Sequence, residues 1–348
     1  MAYTAPLEEM LFLLENVFDI KKMQKYDSFS SLDIDTINSI LLEASRVSEK
    51  TLFPLNAISD QIPAKQENGE IICSPGFLEA YKELCSGGWV GMAGSTFFGG
   101  MGMPAIVTSC VNEIMNSGCV SLALNPLMTQ GQIEALEHHA SEEIKEIFLP
   151  KLISGEWSGT MNLTEPMAGS DVGALTSQAT QLEDGSYSIT GQKIYISWGD
   201  HNLSENICHL VLARLPNAPI GTKGISLFLV PKYLLDSDKK PTITNNVKTI
   251  SIEKKMGLHG SPTAVLEYAG SIGWIVGNPN DGMRAMFTMM NNARLGVGIQ
   301  GLSQAEVSYQ QAINFAKNRK QGRSLIKDGF NTILDHADVR RNLLLMRC

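Results

Sequence analysis

The chain has 348 residues, of which 43% are hydrophobic, and a formal net charge of −8 at pH 7. This length favours two or three domains, and the apolar fraction is sufficient for a sizeable core. The negative charge argues against nucleic acid as a partner. Because no stretch reaches the roughly 18 uninterrupted apolar residues of a membrane span and the start lacks a basic segment, we expect no membrane association and a cytoplasmic location.

The six cysteines are scattered without CxxC spacing, which indicates reduced thiols rather than a disulfide framework. Two of the six histidines, His138 and His139, are adjacent. Adjacent residues on a helix point about 100° apart, so these two cannot easily share one ion. We therefore expect no metal site.

The first half of the chain has helical periodicity. Apolar residues recur at three- and four-residue spacing, which predicts amphipathic helices over residues 7–17, 34–47, 77–84 and 106–116. Ser141 is a plausible N-cap of another helix, and Pro150 is its predicted end. We expect the first helix to pack on the helical domain, with a membrane or partner surface as the alternative.

Short apolar runs bounded by Gly, Pro, Asn and Asp follow, which indicates a β-rich unit. Residues 187–190 and 193–197 flank Gly191 and Gln192, a pattern that predicts a hairpin with a two-residue turn. Further strands are predicted at 208–213, 224–230 and 264–268.

Helical periodicity returns after the β-rich unit. One predicted stripe contains Met283, Met286, Phe287 and Met290, and we interpret its methionines as core rather than as a binding groove. A second predicted stripe is Leu302, Ala305, Tyr309, Ala312, Ile313 and Ala316. The apolar run 343–346 has no end signal before Cys348, so we expect a longer helical domain that is cut short.

The segment 296–301 matches the dinucleotide-binding pattern GxGxxG. No strand is predicted before it, and no βαβ unit surrounds it, so the pattern lacks the context that a dinucleotide site requires. Close packing of helices through small residues is the better interpretation.

The segment 163–173 has no helical or strand period but combines two hydroxyls, two acids and two glycines. Hydroxyls can turn towards ligand oxygens, glycine allows close approach of the backbone, and consecutive amides can surround an anion. The composition predicts a ligand-binding loop, and a surface turn is the alternative.

Three motifs in order carry a family resemblance: LTEPMAGSDV at 163–172, GQKIYIS at 191–197 and KKMGLHGSPT at 254–263. Together they resemble the acyl-CoA dehydrogenase flavoprotein family from about residue 35 to the end. The leading YTAPL at 3–7 and the MMNNAR at 289–294 are most similar to 3-methylmercaptopropionyl-CoA dehydrogenase-like members.

The resemblance implies an α+β multidomain fold. Its expected parts are an N-terminal α-helical domain, a middle β-barrel-like domain and an incomplete C-terminal helical-bundle domain. The boundaries that we predict are 1–34 for an N-terminal helical extension, 35–157 for the α domain, 158–277 for the β domain and 278–348 for the start of the truncated C-terminal domain.

The resemblance also implies FAD as the cofactor. Leu163 and Thr164 would bond to the polar edge of the flavin ring and stabilise its reduced form. Gly169 would allow close approach of the cofactor, and Ser170 would lie near both the flavin phosphates and the acyl-CoA substrate.

Tyr195, Ile196 and Ser197 stand where the family usually has Trp-Ile-Thr, so an aromatic ring and a hydroxyl are retained for cofactor binding. Arg294 matches an arginine near the acyl-CoA, and the alternative for it is a salt bridge on a helix surface.

Arg319 and Lys320 resemble the segment that contacts the FAD of a partner subunit, which implies a homodimer or homotetramer. The family's usual Phe-Gly is replaced by residues 321–323, and a solvated basic turn is the alternative. His336 resembles the histidine of a His-Gln pair that touches the cofactor, although Ala337 replaces the glutamine.

The expected activity is α,β-dehydrogenation of an acyl-CoA thioester, 3-(methylthio)propanoyl-CoA or a short fatty acyl-CoA, with an electron-transferring flavoprotein as electron acceptor. The reaction needs a carboxylate base to remove the α-proton. The family's glutamate is expected downstream of Cys348, and the alternative family position is occupied by Ala293, so the catalytic residue is unknown. Other hypotheses are a same-fold flavin oxidase or monooxygenase, a DNA-damage-response flavoprotein, and a non-catalytic fragment.

Overall fold

The structure, a computed structural model, describes residues 3–30, 32–323, 325 and 331–348. It consists of a helical first part, a β-rich middle and a helical last part, which confirms the predicted order. The first part contains α1 Leu7–Phe12, α2 Ile20–Met23, α3 Ile34–Val47, α4 Phe53–Gln61, the short hairpin β1 Lys65–Glu67 and β2 Glu70–Ile72, α5 Phe77–Ser86, α6 Ala105–His139 and α7 Glu142–Ser154. No helix in the described ranges is long and apolar enough to cross a membrane.

The N-terminal segment packs on the other helices, as predicted. Tyr3, Met10 and Leu14 are buried in the same core as the α3 residues Ile37 and Leu41. Val17 was expected on the same face but is 59% exposed. A π-helical turn over Leu13–Val17 follows α1, and its wider turn rotates the later residues away from the core.

Helix α6 extends well beyond the predicted 106–116. It is interrupted at Cys119, whose φ of −151° and ψ of 92° are not helical, and then continues through Pro126. Most of its residues after Val111 are buried on all sides. Because a helix without an exposed face has no amphipathic period, the sequence pattern did not reveal it.

Helix α7 begins as predicted but ends later. The Ser141 hydroxyl accepts a hydrogen bond from the amide of Ile144 at 3.5 Å, as an N-cap does. The prediction that Pro150 ends the helix is wrong, because α7 continues to Ser154 and stops at Gly155, with a φ of 77°. Leu152 and Ile153 beyond the proline are buried, and their packing offsets the missing backbone hydrogen bond.

The middle part is a seven-stranded sheet with an additional two-stranded ribbon. Its strands are β3 Trp157–Asn162, β4 Gln178–Gln181, β5 Tyr187–Ser197, β6 Asn206–Arg214, β7 Ile225–Pro231, β8 Tyr233–Leu235, β9 Pro241–Thr244, β10 Val247–Ile252 and β11 Thr263–Val276. The pairings β11–β5–β4–β6–β7–β11 close a ring, with β10 attached to β11 and β3 to β6. This closure, around a core that contains Ile189, Phe228 and Leu266, gives the middle part its barrel-like form.

The predicted hairpin around Gly191 and Gln192 is wrong. Both runs belong to the single strand β5, which pairs with β11 from Tyr187 to Ser197. Gly191 has a φ of 143°, and a Cβ there would lie 2.2 Å from the Ser177 hydroxyl oxygen. The glycine therefore serves close contact with a neighbouring segment rather than a turn.

The last part consists of α8 Gly282–Asn318 and α9 Ala337–Arg347. Of the predicted stripe, Met286 is buried, and Met283 and Met290 are partly buried against the same core between α6, α7 and the sheet, so the interpretation of the methionines as core is confirmed. Phe287 does not belong to this face, because it is 40% exposed. The GxGxxG segment is helical, and a Cβ at Gly296 would lie 2.2 Å from Leu127, which supports the helix-packing interpretation at this glycine. Among the described residues, no atom lies within 4 Å of the Cβ positions of Gly298 and Gly301, so the interpretation is wrong for these two.

The second predicted stripe of α8 is wrong at its start. Leu302 is 55% exposed, whereas the neighbouring Ser303 is fully buried. The Ser303 hydroxyl donates to the carbonyls of Glu113 and Ile299, so α8 turns a polar edge towards α6. Apolar periodicity could not reveal a buried face that is built on serine.

Candidate functional site

The loop 163–173 leaves the sheet at the end of β3, a strand that pairs in parallel with β6. Glu165 and Ala168 close its first turn, because the amide of each donates to the carbonyl of the other at 3.0 Å. Met167 at the tip of this turn is 86% exposed. We include the two following residues in the loop, and we call residues 163–168 its proximal half and residues 169–175 its distal half.

The Glu165 carboxylate holds the proximal half in place through hydrogen bonds to three residues outside it. One oxygen accepts from the Thr176 amide at 2.6 Å and the Thr176 hydroxyl at 2.8 Å. The other accepts from the Ser177 amide at 3.1 Å, the Ser177 hydroxyl at 2.6 Å and the Lys193 ammonium at 2.8 Å. Both charged side chains are buried, so this is an internal ion pair with five hydrogen bonds on the carboxylate.

Both members of this pair are charged at neutral pH. Burial raises the pKa of Glu165, but the attraction of Lys193 and the hydrogen bonds from Lys193, Ser177 and Thr176 outweigh burial and lower that pKa to about 2. Burial also lowers the pKa of the Lys193 ammonium, to about 8, although the charge of Glu165 opposes this shift. Glu165 is thus a structural anion.

Strand β5 holds the start of the loop through its backbone and Lys193. The Lys193 ammonium donates to the Leu163 carbonyl at 3.0 Å, and the Ile194 amide donates to the Thr164 carbonyl at 2.9 Å. These two bonds place Leu163 and Thr164 beside Tyr195. The structure therefore brings together two segments that lie about thirty residues apart in the sequence.

Tyr195 lies on a β-bulge that turns it outwards. The pairing of β5 with β11 shifts between Ile196, opposite Ala264, and Lys193, opposite Leu266. Tyr195 has a φ of 59°, an uncommon value for a non-glycine residue, and it is 61% exposed. Bulges of this kind re-aim side chains beside functional sites. Its ring is therefore available to a ligand that lies against the proximal half.

The two residues after Tyr195 are less accessible. Ile196 is buried in the barrel core, and the side chain of Ser197 is only partly exposed. The next residue, Trp198, is fully buried, has a φ of 54° and donates its indole N–H to the Ser121 carbonyl at 3.2 Å. The end of β5 is thereby fixed to α6, just after the interruption at Cys119.

The distal half contains the exposed Gly169 and Ser170. A Cβ at Gly169 would lie 3.9 Å from the Thr164 methyl group, so the two halves lie close together at this point. The end of the distal half is held by Arg214, the last residue of β6, whose Nε donates to the Leu175 carbonyl at 3.0 Å.

Arg294 lies on the surface of α8. Its guanidinium donates to the Asn291 side chain at 3.0 Å, and it lies 5.5 Å from the centre of the Phe287 ring. These contacts are with its own helix and involve no acid, so they differ from the surface salt bridge that was the alternative for this residue. A role in substrate binding remains a prediction.

Arg319, Lys320 and His336 form a second cluster. Lys320 forms an antiparallel bridge with Thr332, and the Ile333 amide donates to the Arg319 carbonyl at 2.8 Å. His336 Nε2 lies 2.7 Å from the Gln321 carbonyl and donates to it. Within the described residues, the hydrogen bonds of this cluster stay in its own segment and do not reach the loop 163–173.

Two anchors of the site were not predicted from the sequence. Lys193 was read only as part of a family motif, and Arg214 was not considered. Lys193 occupies an inward-facing position of an otherwise alternating strand, where an apolar residue is expected. A charged residue at such a position could have indicated a buried ion pair. No local signal points to Arg214, because its partners lie in two separate loops.

A large cavity among the described residues lies elsewhere. It has a volume of about 1000 Å³, and residues such as His139, Ile144, Phe148, Trp274 and Arg284 line it. None of its lining residues belongs to the loop 163–173. We therefore base the candidate site on the loop and β5, where hydrogen bonds bring the predicted residues together, and not on cavity size.

Comparisons with known proteins match all three parts of the chain. Three family models match: the N-terminal domain of acyl-CoA dehydrogenase at residues 62–156, the middle domain at 160–270 and the C-terminal domain at 280–348. The 3-methylmercaptopropionyl-CoA dehydrogenase of Ruegeria pomeroyi is 42% identical over the whole chain. The chain spans 59% of the length of that relative.

Two solved structures share the fold. The butyryl-CoA dehydrogenase of Megasphaera elsdenii has a TM-score of 0.74 at 24% identity, with 91% of this chain and 76% of that chain covered. An acyl-CoA dehydrogenase of Bacillus anthracis in complex with FAD has a TM-score of 0.74 at 20% identity, with 91% and 48% covered. Since the family models match its helical, sheet and helical parts in order, the chain belongs to the acyl-CoA dehydrogenase family.

Proposed function

We propose that the chain binds FAD and takes part in the α,β-dehydrogenation of an acyl-CoA thioester. The observation that carries this proposal is the pairing of the proximal half of the loop with the bulge of β5. The Ile194 amide donates to the Thr164 carbonyl at 2.9 Å, and the next residue of the strand is the exposed Tyr195.

The residues present fit a flavin. The proximal half offers backbone groups and the Thr164 hydroxyl to the polar edge of the ring, and Tyr195 offers an aromatic surface on a rigid strand. FAD, when bound, supplies the acceptor for the β-hydrogen of the substrate as hydride. The Glu165–Lys193 pair holds the polar groups in place before a ligand arrives, which is how a preorganised site lowers the cost of binding.

The substrate contacts that we propose come from Ser170 and Arg294. Ser170 is exposed on the distal half, next to the start of the proximal half, and can bond to a ligand that lies across both halves. The base that removes the α-proton is left unassigned. Glu165 is unsuited to this role, because its carboxylate is buried, ionised and occupied by Thr176, Ser177 and Lys193.

The finer features of the function follow from the relatives by analogy. The similarity to the enzyme of Ruegeria pomeroyi favours 3-(methylthio)propanoyl-CoA as the substrate, and the fold shared with a butyryl-CoA dehydrogenase favours a short fatty acyl-CoA. An electron-transferring flavoprotein is the proposed electron acceptor. The roles of Arg319, Lys320 and His336 at the FAD of a second subunit, the homodimer or homotetramer and the cytoplasmic location stay predictions.

A spectroscopic experiment tests the proposal. The purified chain is titrated with FAD, and its visible spectrum is then recorded under anaerobic conditions before and after addition of butyryl-CoA or 3-(methylthio)propanoyl-CoA. We expect uptake of one FAD per chain, and bleaching of the flavin band would show that a catalytic base lies among these residues. A folded chain that takes up no FAD contradicts the proposal, and uptake without bleaching contradicts dehydrogenation by this chain alone.

Two variants localise the cofactor. Thr164→Val removes the hydroxyl that would reach the flavin edge, and Tyr195→Ala removes the aromatic ring. We expect each to weaken FAD binding about tenfold, the loss typical of one good hydrogen bond or ring contact. Thr180→Val is the matched control, because Thr180 is an exposed threonine of β4 in the same sheet. Equal FAD affinity in Thr164→Val and Thr180→Val would place the cofactor elsewhere.

A further inference from the structure

The first residues of the chain join the helical first part to the helical last part. We call residues 3–10 the N-terminal strap. The Thr4 amide donates to the Gln310 side-chain oxygen at 3.1 Å, and the Gln310 amide donates back to the Thr4 carbonyl at 2.7 Å. The Ala5 amide donates to the Glu49 carboxylate at 2.9 Å. Side chains thus fix the backbone of the strap both to α8 and to the segment after α3.

Three carboxylates meet beside the strap, those of Glu9 in α1, Glu113 in α6 and Glu306 in α8. The Ser303 hydroxyl, one turn before Glu306, donates to the Glu113 carbonyl at 3.0 Å. Two of the acids share one cation, because Arg347 donates to Glu306 at 3.0 Å and also forms an ion pair with Glu9. The half-buried Glu113 carboxylate has neither a hydrogen bond nor an ion pair among the residues that the structure describes.

The surroundings of the Glu113 carboxylate favour its protonated form. The group is partly removed from water, and it faces two like charges whose cation, Arg347, is already paired. Burial first, and then the charges of Glu306 and Glu9, raise the pKa of Glu113 to about 7 from an ordinary value of 4.5. The carboxylate therefore titrates near neutral pH.

Six ionisable side chains face Glu113 or its neighbour Tyr3. They are Tyr3 and Glu9 of the strap, Glu49 after α3, Cys110 of α6, Glu306 of α8 and Arg347 of α9. Burial raises the pKa of the Tyr3 phenol well above its usual range, and burial together with the charge of Glu113 raises the pKa of the Cys110 thiol to about 11. These two groups stay neutral near pH 7, and the Arg347 guanidinium stays a cation. The response to pH should therefore centre on Glu113.

From this arrangement we propose that the N-terminal strap is a pH-sensitive clamp, closed on α6 and α8 while Glu113 carries a proton and opened more readily after Glu113 has lost it. Opening of the strap exposes the Glu113 carboxylate to water and relieves its repulsion from Glu9. The clamp goes beyond the proposed function, because it involves neither the flavin nor the thioester.

The direction of the pH effect follows from the linkage between proton binding and closure. Because the pKa of Glu113 is raised in the closed state, the contribution of its proton to closure is complete below pH 4.5 and is lost as the pH rises to about 7. Above this range the carboxylate is charged in both states, so no further loss follows. A rise from pH 5.5 to pH 8 should make opening about tenfold more frequent.

Hydrogen–deuterium exchange of the full chain, read by mass spectrometry at pH 5.5 and pH 8, tests the clamp. The exchange rates of residues 4–10 are divided by those of an unstructured peptide of the same sequence, which removes the intrinsic dependence of exchange on pH. We expect the protection of this segment in the wild type to fall about tenfold between the two pH values. Glu113→Gln is neutral at both, so at pH 8 it should keep the protection that the wild type has at pH 5.5. Misfolding cannot produce such a gain of protection.

Glu134→Gln is the matched control. Glu134 is a partly exposed glutamate of the same helix, and its carboxylate accepts from the Asn292 amide at 2.8 Å, away from the strap. This variant should retain the pH response of the wild type. Gln310→Ala removes the two bonds to Thr4 and should lower the protection of the strap at both pH values, which provides the exchange rate of an opened strap.

Three results would overturn the inference. One is a wild-type protection of residues 4–10 that differs by less than twofold between the two pH values. Another is a Glu113→Gln variant that retains the wild-type response, which would assign this response to a different group. The third is loss of the response in Glu134→Gln, which would indicate an effect of net charge. Since the measurement uses neither FAD nor acyl-CoA, failure of the clamp is distinguishable from failure of the proposed function.

Discussion

The proximal and distal halves of the loop after β3 are held in place by different kinds of contact. The proximal half is tied from within by a buried carboxylate and ammonium, Glu165 and Lys193, with Thr176 and Ser177 around them. The distal half is held by the Arg214 guanidinium, which donates to its Gly173 and Leu175 carbonyls. The same guanidinium donates to two carbonyls of the segment between β6 and β7 and to no side chain. The contrast concerns the polar contacts, because the Leu175 side chain at the end of the distal half is itself buried in the core.

The difference has an energetic meaning. A buried ion pair repays the cost of removing two charges from water only when both partners are present, so removal of one partner is strongly destabilising. Loss of a guanidinium that bonds to carbonyls near the surface costs less free energy, because the freed carbonyls can bond to water. The proximal half should thus be rigid and intolerant of substitution, and the distal half should be easier to release.

The largest effect is expected from Lys193→Met, which leaves the Glu165 charge buried without its cation. We expect the free energy of unfolding to fall by about 4 kcal/mol. Urea denaturation measures it, and the double variant Glu165→Gln with Lys193→Met is the control, since it removes both charges. If the double variant is no more stable than the single one, the pair is not coupled as described.

The contribution of the proximal half to the free energy of unfolding should depend on pH. The pKa of Glu165 in the folded chain is about 2, below its ordinary value of 4.5. Its contribution to stability is therefore complete above about pH 4.5 and is lost as the pH falls towards 2. Between pH 6 and pH 3 we expect the stability difference between wild type and Glu165→Gln to shrink by about 2 kcal/mol. A constant difference in denaturation experiments across this range would show that Glu165 does not titrate as described.

Gly191→Ala should disturb the proximal anchor indirectly. A Cβ at this position would lie 2.2 Å from the Ser177 hydroxyl oxygen, which donates to Glu165 at 2.6 Å. We expect a loss of about 2 kcal/mol from overpacking and from backbone strain. Gly185→Ala is the comparison, because Gly185 also has a positive φ but no atom within 4 Å of its Cβ position. Equal thermal midpoints for the two variants would argue against the steric coupling.

The smallest effect is expected from Arg214→Met, which retains a stem of similar length but no donors. We expect the free energy of unfolding to fall by about 1.5 kcal/mol, less than half of the Lys193→Met value. Faster amide exchange in residues 171–175 but not in 163–168 should accompany it. A loss as large as that of Lys193→Met would erase the distinction between the two halves.

The sequence allowed prediction of an amphipathic helix and of short apolar runs bounded by turn residues, even where the strands are buried throughout. Helix α3 and strands β6 and β7 occupy the predicted ranges nearly to the residue. Apolar periodicity did not predict the length of α6, because this helix is surrounded by protein. The turn predicted at Gly191 was wrong, because the glycine there allows close packing within a strand. Local pattern cannot distinguish these cases, since the neighbour that decides them lies far away in the sequence.

The candidate site was predictable to a similar degree. Loop composition and family resemblance predict Thr164, Ser170 and Tyr195 as site residues, and the structure brings the loop and the bulge together, while the roles of these residues stay predictions. The residues that hold the loop were not predictable, because Lys193 and Arg214 act on groups about thirty to forty residues away. Their roles become visible only when hydrogen bonds are assigned to every buried polar group.

The position of Trp198 has a consequence for folding. Its ring stacks on Phe77 with ring centres 6.2 Å apart, and its N–H donates to Ser121, so the final turn of a barrel strand lies inside the helical part. Neither part can complete its core alone, and the two should fold and unfold as a single cooperative unit rather than as separate modules. In a variant with Trp89, Trp157 and Trp274 replaced by phenylalanine, Trp198 is thus a fluorescent reporter, because its emission should shift to longer wavelength when the helices and the barrel separate.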